Sequence, residues 1–292
     1  MSNHEGFEVR GARVLITGAA IGMGRIYAER ALREDASLVH CWDRDAAALE
    51  RTVAELGAVH GVDRVEATTL DVADNDGVQA AAAALLEAHG APNVLINNAG
   101  IVRGALFWEH DVERDIQLTM QVNAVGPMVL TRALLPAMLA DGAPRRILNI
   151  ASAAGTLANP RMSVYAASKW AMIGWSDSLR LELDRAAGGA VKVTTFCPSY
   201  ISTGMFAGAR GPLLTPVLSP EVATDRAWRA MLAGRPVRST PWTVGLARGL
   251  KGVLPVRAWD VVADKLFGVY SSMDTFTGRP GTLEPAPTGD VR

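Results

Sequence analysis

A chain of 292 residues with 49% hydrophobic content can bury one full core, close to the upper limit of about 250–300 residues for a single domain. A net charge of −1 and a pI near 6.5 exclude a general electrostatic attraction to nucleic acid. Two cysteines, Cys41 and Cys197, read as buried apolar fillers rather than a disulfide framework or metal site, and no run reaches the ~18 apolar residues needed to span a bilayer. Residues 1–12 form a polar tail without the apolar core of a signal peptide, so a soluble, cytoplasmic protein is expected.

Residues 13–17 read as a short buried strand, Gly18-Ala19-Ala20-Ile21-Gly22-Met23-Gly24 breaks it, and residues 25–33 resume with helical spacing. Glycines without a Cβ let the backbone approach a pyrophosphate, whose charge sits against the free N–H groups of the helix start. The second strand, 37–42, ends at Asp43, close to the ~20 residues beyond the glycines at which an acid meets an adenosine ribose. Residues 64–70, 93–97, 146–151 and 191–197 are further apolar runs suited to buried parallel strands. Longer helical stretches, 75–89 and 111–139, separate them. The alternation predicts a single α/β domain with a doubly wound parallel sheet. Residues 13–240 form its binding and catalytic part, with a substrate loop at about 199–235. Residues 241–276 make a C-terminal helical lid extension, and 277–292, rich in Pro and Gly, a flexible tail.

Tyr165 precedes Lys169 by four residues, and Ser152 ends an apolar run thirteen residues before Tyr165. Residues at i and i+4 stack on one helix face, so the ammonium is expected beside the phenol, lowering a pKa that starts near ~10. The phenol then serves as an acid or base near neutrality, and the Ser152 hydroxyl reaches the same substrate oxygen. A Tyr and a Lys also share a helix face in ordinary surface helices; the strand, glycine turn, helix, strand and acid at the start of the chain favour the chemical reading.

The run Thr17 to Gly24, Asp71-Val72, Asn97-Asn98-Ala99-Gly100, Asn123, Ser152, Tyr165-Ala166-Ala167-Ser168-Lys169 and Pro198 through Thr203 together resemble the short-chain dehydrogenase/reductase family over roughly residues 12–235. Trp42-Asp43, Cys197-Pro198 and Ser202-Thr203-Gly204-Met205-Phe206 are similar to its retinol and hydroxysteroid dehydrogenase branch. The resemblance implies a Rossmann-type fold, a nicotinamide cofactor and a catalytic set of Asn123, Ser152, Tyr165 and Lys169. It implies that Asn123 holds a water relaying protons toward Lys169, and that Lys169 grips the ribose. Cofactor contacts are implied at Gly18, Ala20, Ile21, Gly22, Met23, Gly24, Asp43, Arg44, Val72, Asn98, Ala99, Gly100 and Pro198. Asp71 would meet the adenine amino group, and Ile201 and Thr203 the nicotinamide carboxamide and phosphate. From the residues alone Asp71 is equally a helix cap, Asn123 a satisfied buried amide, and Asn97 to Gly100 a tight turn. Ser199 departs from the glycine common in the family.

NAD is expected over NADP, because the Asp43 carboxylate repels a 2′-phosphate and Ile21 is not basic. Tyr200, Met205 and Phe206, with Leu213 and Leu214, would line an apolar pocket for a hydrophobic alcohol or carbonyl substrate. Helices at 111–139 and 162–183 are apolar on more than one face and carry Trp170, Met172 and Trp175, so a dimer or tetramer is expected, as in the family. His40, His60, His89 and His110 show no metal spacing, and no metal is expected. A catalytically silent NAD-binding scaffold or sensor on the same fold is the alternative function. Between Arg226 and Trp259 there is no acid, and Trp242, Leu246, Leu250 and Val253 recur at helical spacing with Arg248 and Lys251 off their face. Such a helix suits an anionic membrane surface; a lid packing that apolar face over the active site, with a solvated basic rim, is preferred.

Overall fold

Seven parallel strands form one sheet in the order β3-β2-β1-β4-β5-β6-β7. They are β1 (Arg13–Thr17), β2 (Leu38–Asp43), β3 (Val65–Thr69), β4 (Val94–Asn97), β5 (Arg145–Ile150), β6 (Val191–Pro198) and β7 (Val237–Thr240). The structure is a computed structural model and describes residues 7–213 and 215–278. Helices cover both faces: α1 (Gly22–Arg33), α2 (Ala46–His60), α3 (Asn75–His89), α4 (Leu118–Met120), α5 (Gly126–Leu139), α6 (Ser163–Ala186) and α7 (Pro220–Leu232). Two more, α8 (Trp242–Val253) and α9 (Val256–Val261), follow the last strand.

Parallel strands covered on both sides are apolar on both sides, and β1 shows why. Val14 and Ile16 join Tyr27, Leu49 and Trp228 in a core against α1, α2 and α7, whereas Leu15 joins Leu85, Leu134 and Leu179 against α3, α5 and α6. The chain reverses its direction of travel across the sheet between β1 and β4, which opens a crevice at the carboxyl ends of those strands.

Three details differ from expectation. β7 was not foreseen, because Val-Arg-Ser-Thr between Pro236 and Pro241 has no apolar run; it forms by pairing with β6, from Thr195↔Val237 to Pro198↔Thr240. Residues 220–232, expected in the substrate loop, form α7 in the core: Trp228 is fully buried, stacks 6.2 Å from Tyr27 and donates its Nε1–H to Glu34 at 2.9 Å. Helix runs continuously through Val112–Leu139, with π-helical turns at Val112–Gln117 and Gln121–Val125 around α4. This stretch is long and apolar enough to match a bilayer, yet Leu130, Leu134 and Met138 pack against the sheet.

Candidate active site

A cleft of about 390 Å³ lies at the carboxyl end of the sheet, walled by the glycine turn. Gly18 and Gly22 adopt φ of +66° and +59°, a region that disfavours side chains. A Cβ on Gly24 would fall inside the Gly18 carbonyl and 2.8 Å from the Asn98 amide nitrogen. Asn98 Nδ2 donates to the Thr17 and Gly18 carbonyls at 3.0 Å, and Thr17 Oγ1 accepts from the Asn98 and Ala99 amides at 3.1 Å. The glycines therefore permit the turn to cross the end of β4, and Asn98 fastens that crossing. Asp45, Asp74 and Ser219 cap α2, α3 and α7, but among the described residues no side chain caps α1. Its first residues line the cleft, an arrangement that suits an anion.

Asp43 accepts from the Ala20 amide at 3.0 Å through one oxygen and from the Asp45 amide at 3.1 Å through the other, which pins it on the cleft wall beside Arg44. Asp71 accepts from the Ala73 amide at 2.9 Å, while Asp74 caps α3. The capping role thus falls to Asp74, and Asp71 faces the cleft with Val72. A Cβ on Gly22 would stand 3.8 Å from Thr203, so the loop after β6 closes over the glycine turn. Glycine turn, uncapped helix start and pinned acid fit a dinucleotide.

Ser152 lies just past β5 and accepts from the Ala154 amide at 3.2 Å; Tyr165 and Lys169 come from α6. All three line the cleft. Burial pushes the Tyr165 phenol up to about 12, against a hydrogen bond to Ser152 that lowers it. Burial pulls Lys169 down to about 8. The expected lowering of the phenol by its neighbouring ammonium is not met: Nζ stands 5.7 Å from the Tyr165 ring centre and donates to the Ile150 carbonyl at 2.9 Å. At that separation desolvation outweighs the ammonium.

Asn123 does not line the cleft. It is fully buried in the second π-helical turn, its Oδ1 accepting from the Ile101 amide at 2.8 Å and its Nδ2 donating to the Ile101 carbonyl at 2.8 Å and Ser168 Oγ at 3.0 Å. The amide is bonded on both sides within the protein, so it clamps the loop after β4 to α6.

A second, almost wholly apolar cavity of about 140 Å³ adjoins the cleft, and Ser152, Ser199 and Phe206 line both. Phe206 stands edge-on to Tyr165 at 5.8 Å and to Tyr200 at 5.4 Å. Tyr200 lines the apolar cavity, its hydroxyl 2.8 Å from Ser272 Oγ and 3.1 Å from the Asn159 amide, and burial raises its phenol. Met205 lines the cleft instead of the apolar cavity, Leu213 is 56% exposed, and Leu214 lies outside the described residues. The far wall comes from the C-terminal extension: Thr243, Val244, Ala247 and Leu250 of α8, Trp259 of α9, then Phe267 and Val269. Here α8 covers the cavity, with Trp242, Leu246 and Leu250 of the predicted stripe among its lining and Val253 outside it. Trp242, Leu246 and Val253 are exposed, whereas Lys251 turns inward, donating to the Thr156 carbonyl at 3.0 Å and lying 4.7 Å from the Trp170 ring centre.

A family model described as short chain dehydrogenase matches residues 12–212. The chain belongs to the short-chain dehydrogenase/reductase family. It is 35% identical over 274 residues to epidermal retinol dehydrogenase 2 of Mus musculus, covering 93% of this chain and 87% of that protein. To estradiol 17-beta-dehydrogenase 11 of Pongo abelii it is 32% identical over 262 residues, 88% of this chain and 84% of that one. A short-chain dehydrogenase/reductase from Burkholderia phymatum, solved in complex with NAD, matches with a TM-score of 0.75 at 30% identity over 84% of this chain and 94% of that one. These relatives agree with the retinol and hydroxysteroid dehydrogenase branch.

In this short-chain dehydrogenase the residues singled out by sequence gather in one place. Gly18, Ala20 to Met23, Asp43, Arg44, Asp71, Val72, Asn98 to Gly100, Pro198, Ile201 and Thr203 all line the cleft. Gly24 acts behind it, through the packing of the turn. Ser199 needs no glycine, since among the described residues only Asp35 and Arg161 have positive φ without being glycine. Sequence reasoning missed Asn159 and Ser272, which hold Tyr200, and the cavity wall from α8 to Val269, because only tertiary packing brings them to the site. His40 and His89 both meet Glu66, at 3.2 and 3.1 Å, and burial, outweighing Glu66, holds His40 down at about 4.

Proposed function

We propose that the protein is an NAD-dependent oxidoreductase interconverting a hydrophobic alcohol and its ketone or aldehyde. The observation that carries this reading is a junction: Ser152 lines both cavities, with Tyr165 and Lys169 beside it where the glycine-walled cleft meets the apolar cavity. A nicotinamide dinucleotide bound in the cleft supplies the hydride acceptor or donor. The glycine turn and the start of α1 hold its phosphates, Asp43 accepts from the adenosine ribose, Asp71 and Val72 meet the adenine, and Ile201 and Thr203 orient the nicotinamide.

In oxidation Tyr165 Oη takes the hydroxyl proton while the Ser152 hydroxyl orients the substrate oxygen; in reduction Tyr165 returns the proton. Lys169 grips the ribose and sets positive charge beside the phenolate. Phe206 and the walls from α8 and α9 seat an apolar substrate and exclude water from the reacting oxygen. Asp43 and the NAD-bound relative support NAD as the cofactor, and the names of the curated relatives support a hydrophobic substrate. We take the protein to act in the cytoplasm as a homo-oligomer. The test is a panel of terpenoid, steroid and aromatic alcohols set against sugars and hydroxy acids, with NAD, followed by absorbance of the reduced cofactor. Turnover confined to the apolar alcohols is expected. NAD binding without turnover on any alcohol or ketone would leave a silent scaffold.

A further inference from the structure

The water-facing side of α8 is built like a buried one. Its exposed side chains are Trp242, Leu246, Val253 and, at one edge, Arg248. Between them lie only glycines, and among the described residues nothing stands within 4 Å of where a Cβ on Gly245, Gly249 or Gly252 would be. Among the described residues no close approach calls for these glycines, although each weakens the helix. A helix of 12 residues thus presents only two exposed side chains that can hydrogen-bond, the Trp242 indole and the Arg248 guanidinium. Past Pro255 the pattern continues with Val256, 75% exposed, and Arg257. Contiguous apolar surface of this kind marks a contact site.

Two further observations choose the occupant. No acid occurs from Arg226 to Trp259, and the apolar face is flanked by Arg248 and Arg257, with Asp260 the first acid beyond them in the chain. A second copy pairing symmetrically through this face would bring a second set of the same cations to it, whereas an anionic surface complements them. The face is also continuous with the apolar cavity, because Trp242 and Leu246 line the cavity while being 71% and 47% exposed.

We propose that the outer face of α8, with the turn into α9, docks on an anionic lipid bilayer, so that the apolar cavity opens toward the acyl layer. The glycines let the helix backbone approach the headgroups, Trp242 lies at the interface, and Arg248 and Arg257 meet lipid phosphates. Docking rests on this face alone; delivery of an apolar alcohol from the lipid rests on the oxidoreductase reading.

The test is flotation of the full chain with vesicles of phosphatidylcholine alone and of phosphatidylcholine mixed with phosphatidylglycerol, at low and high salt. The matched variant is Val253→Asp with Val256→Asp, both highly exposed and neither lining the cavity. Wild type is expected to float with the mixed vesicles and to lose binding at high salt, and the variant to partition at least about tenfold less. The variant should keep its melting temperature and its turnover of a short water-soluble alcohol. Absent flotation, or equal flotation of the variant, overturns the proposal. A fall in the variant's mass by light scattering also overturns it, assigning the face to a second copy. Flotation reads binding without turnover, so a protein inactive on every alcohol can still dock, and an active one can fail to.

Discussion

Tyr165 is protonated at neutral pH because burial outweighs its hydrogen bond to Ser152. Alcohol oxidation consumes the phenolate, so its rate should climb as pH rises above neutrality, while carbonyl reduction, which consumes the phenol, should not. Tyr165→Phe keeps the ring that meets Phe206 and removes only the hydroxyl. NAD affinity by titration calorimetry should survive, and kcat should fall roughly 10²–10⁴-fold, the usual contribution of a positioned acid or base. Near-native turnover in this variant would remove Tyr165 from the chemistry. Asp43 sets a second expectation. A 2′-phosphate about 4 Å from its carboxylate is opposed by about 4 kcal/mol at an effective dielectric of ~20. Wild type should show a kcat/KM ratio in favour of NAD, and Asp43→Asn, which keeps an acceptor for the Ala20 amide, should shift that ratio toward NADP. A wild-type ratio favouring NADP would defeat the assignment.

At the scale of elements, the glycines of two helices divide by what surrounds them. At the start of α1, Gly24 has the Gly18 carbonyl and the Asn98 side-chain amide where a Cβ would go; the amide donates to that carbonyl and to the Thr17 carbonyl at the end of β1, which fixes both. Gly24→Ala should cost about 1–3 kcal/mol, the range for overpacking a tight site, and weaken NAD binding. In α8, Gly249 faces open space, and Gly249→Ala should stabilise by about 0.4–1 kcal/mol by restricting the unfolded chain. Denaturant melts of the two variants read both numbers; a stabilised Gly24→Ala would show that the turn is looser than its contacts imply.

For the whole molecule, the expected assembly surface is partly used up inside the chain. Met172 is buried, Trp175 packs against the core and Lys251 lies over Trp170. Apolar surface is left at Phe107, Trp108 and Val112 ahead of α5, and at Trp170 and Leu181 on α6, each about half exposed or more. Pairing through α5 and α6, as expected from the sequence, would bury apolar surface of this kind symmetrically. Light scattering at micromolar concentration should give the mass of a dimer or tetramer, and Trp108→Asp should lower it. A monomeric mass for wild type would mean that this surface stays in water.

The order of strand, glycine turn, helix, strand and acid was legible along the chain because each is a local matter. Strands buried on both faces need unbroken apolar runs, and a turn that crosses a neighbouring strand needs glycine at Gly18 and Gly24. Tyr165, Lys169 and Ser152 were legible as residue types at a spacing, and so was the pocketward role of Phe206. Their tuning was not, because a pKa depends on how deeply the group is buried, and burial is a property of everything packed around it. The same holds for β7, whose four residues carry no apolar pattern and pair only because the edge of β6 is there. Helical spacing located an apolar stripe on α8 without saying which way it points. The packing of Thr243, Val244, Ala247 and Leu250 against the cavity decided that: Trp242 and Leu246 line the cavity and are also exposed, and only Val253 turns wholly toward water.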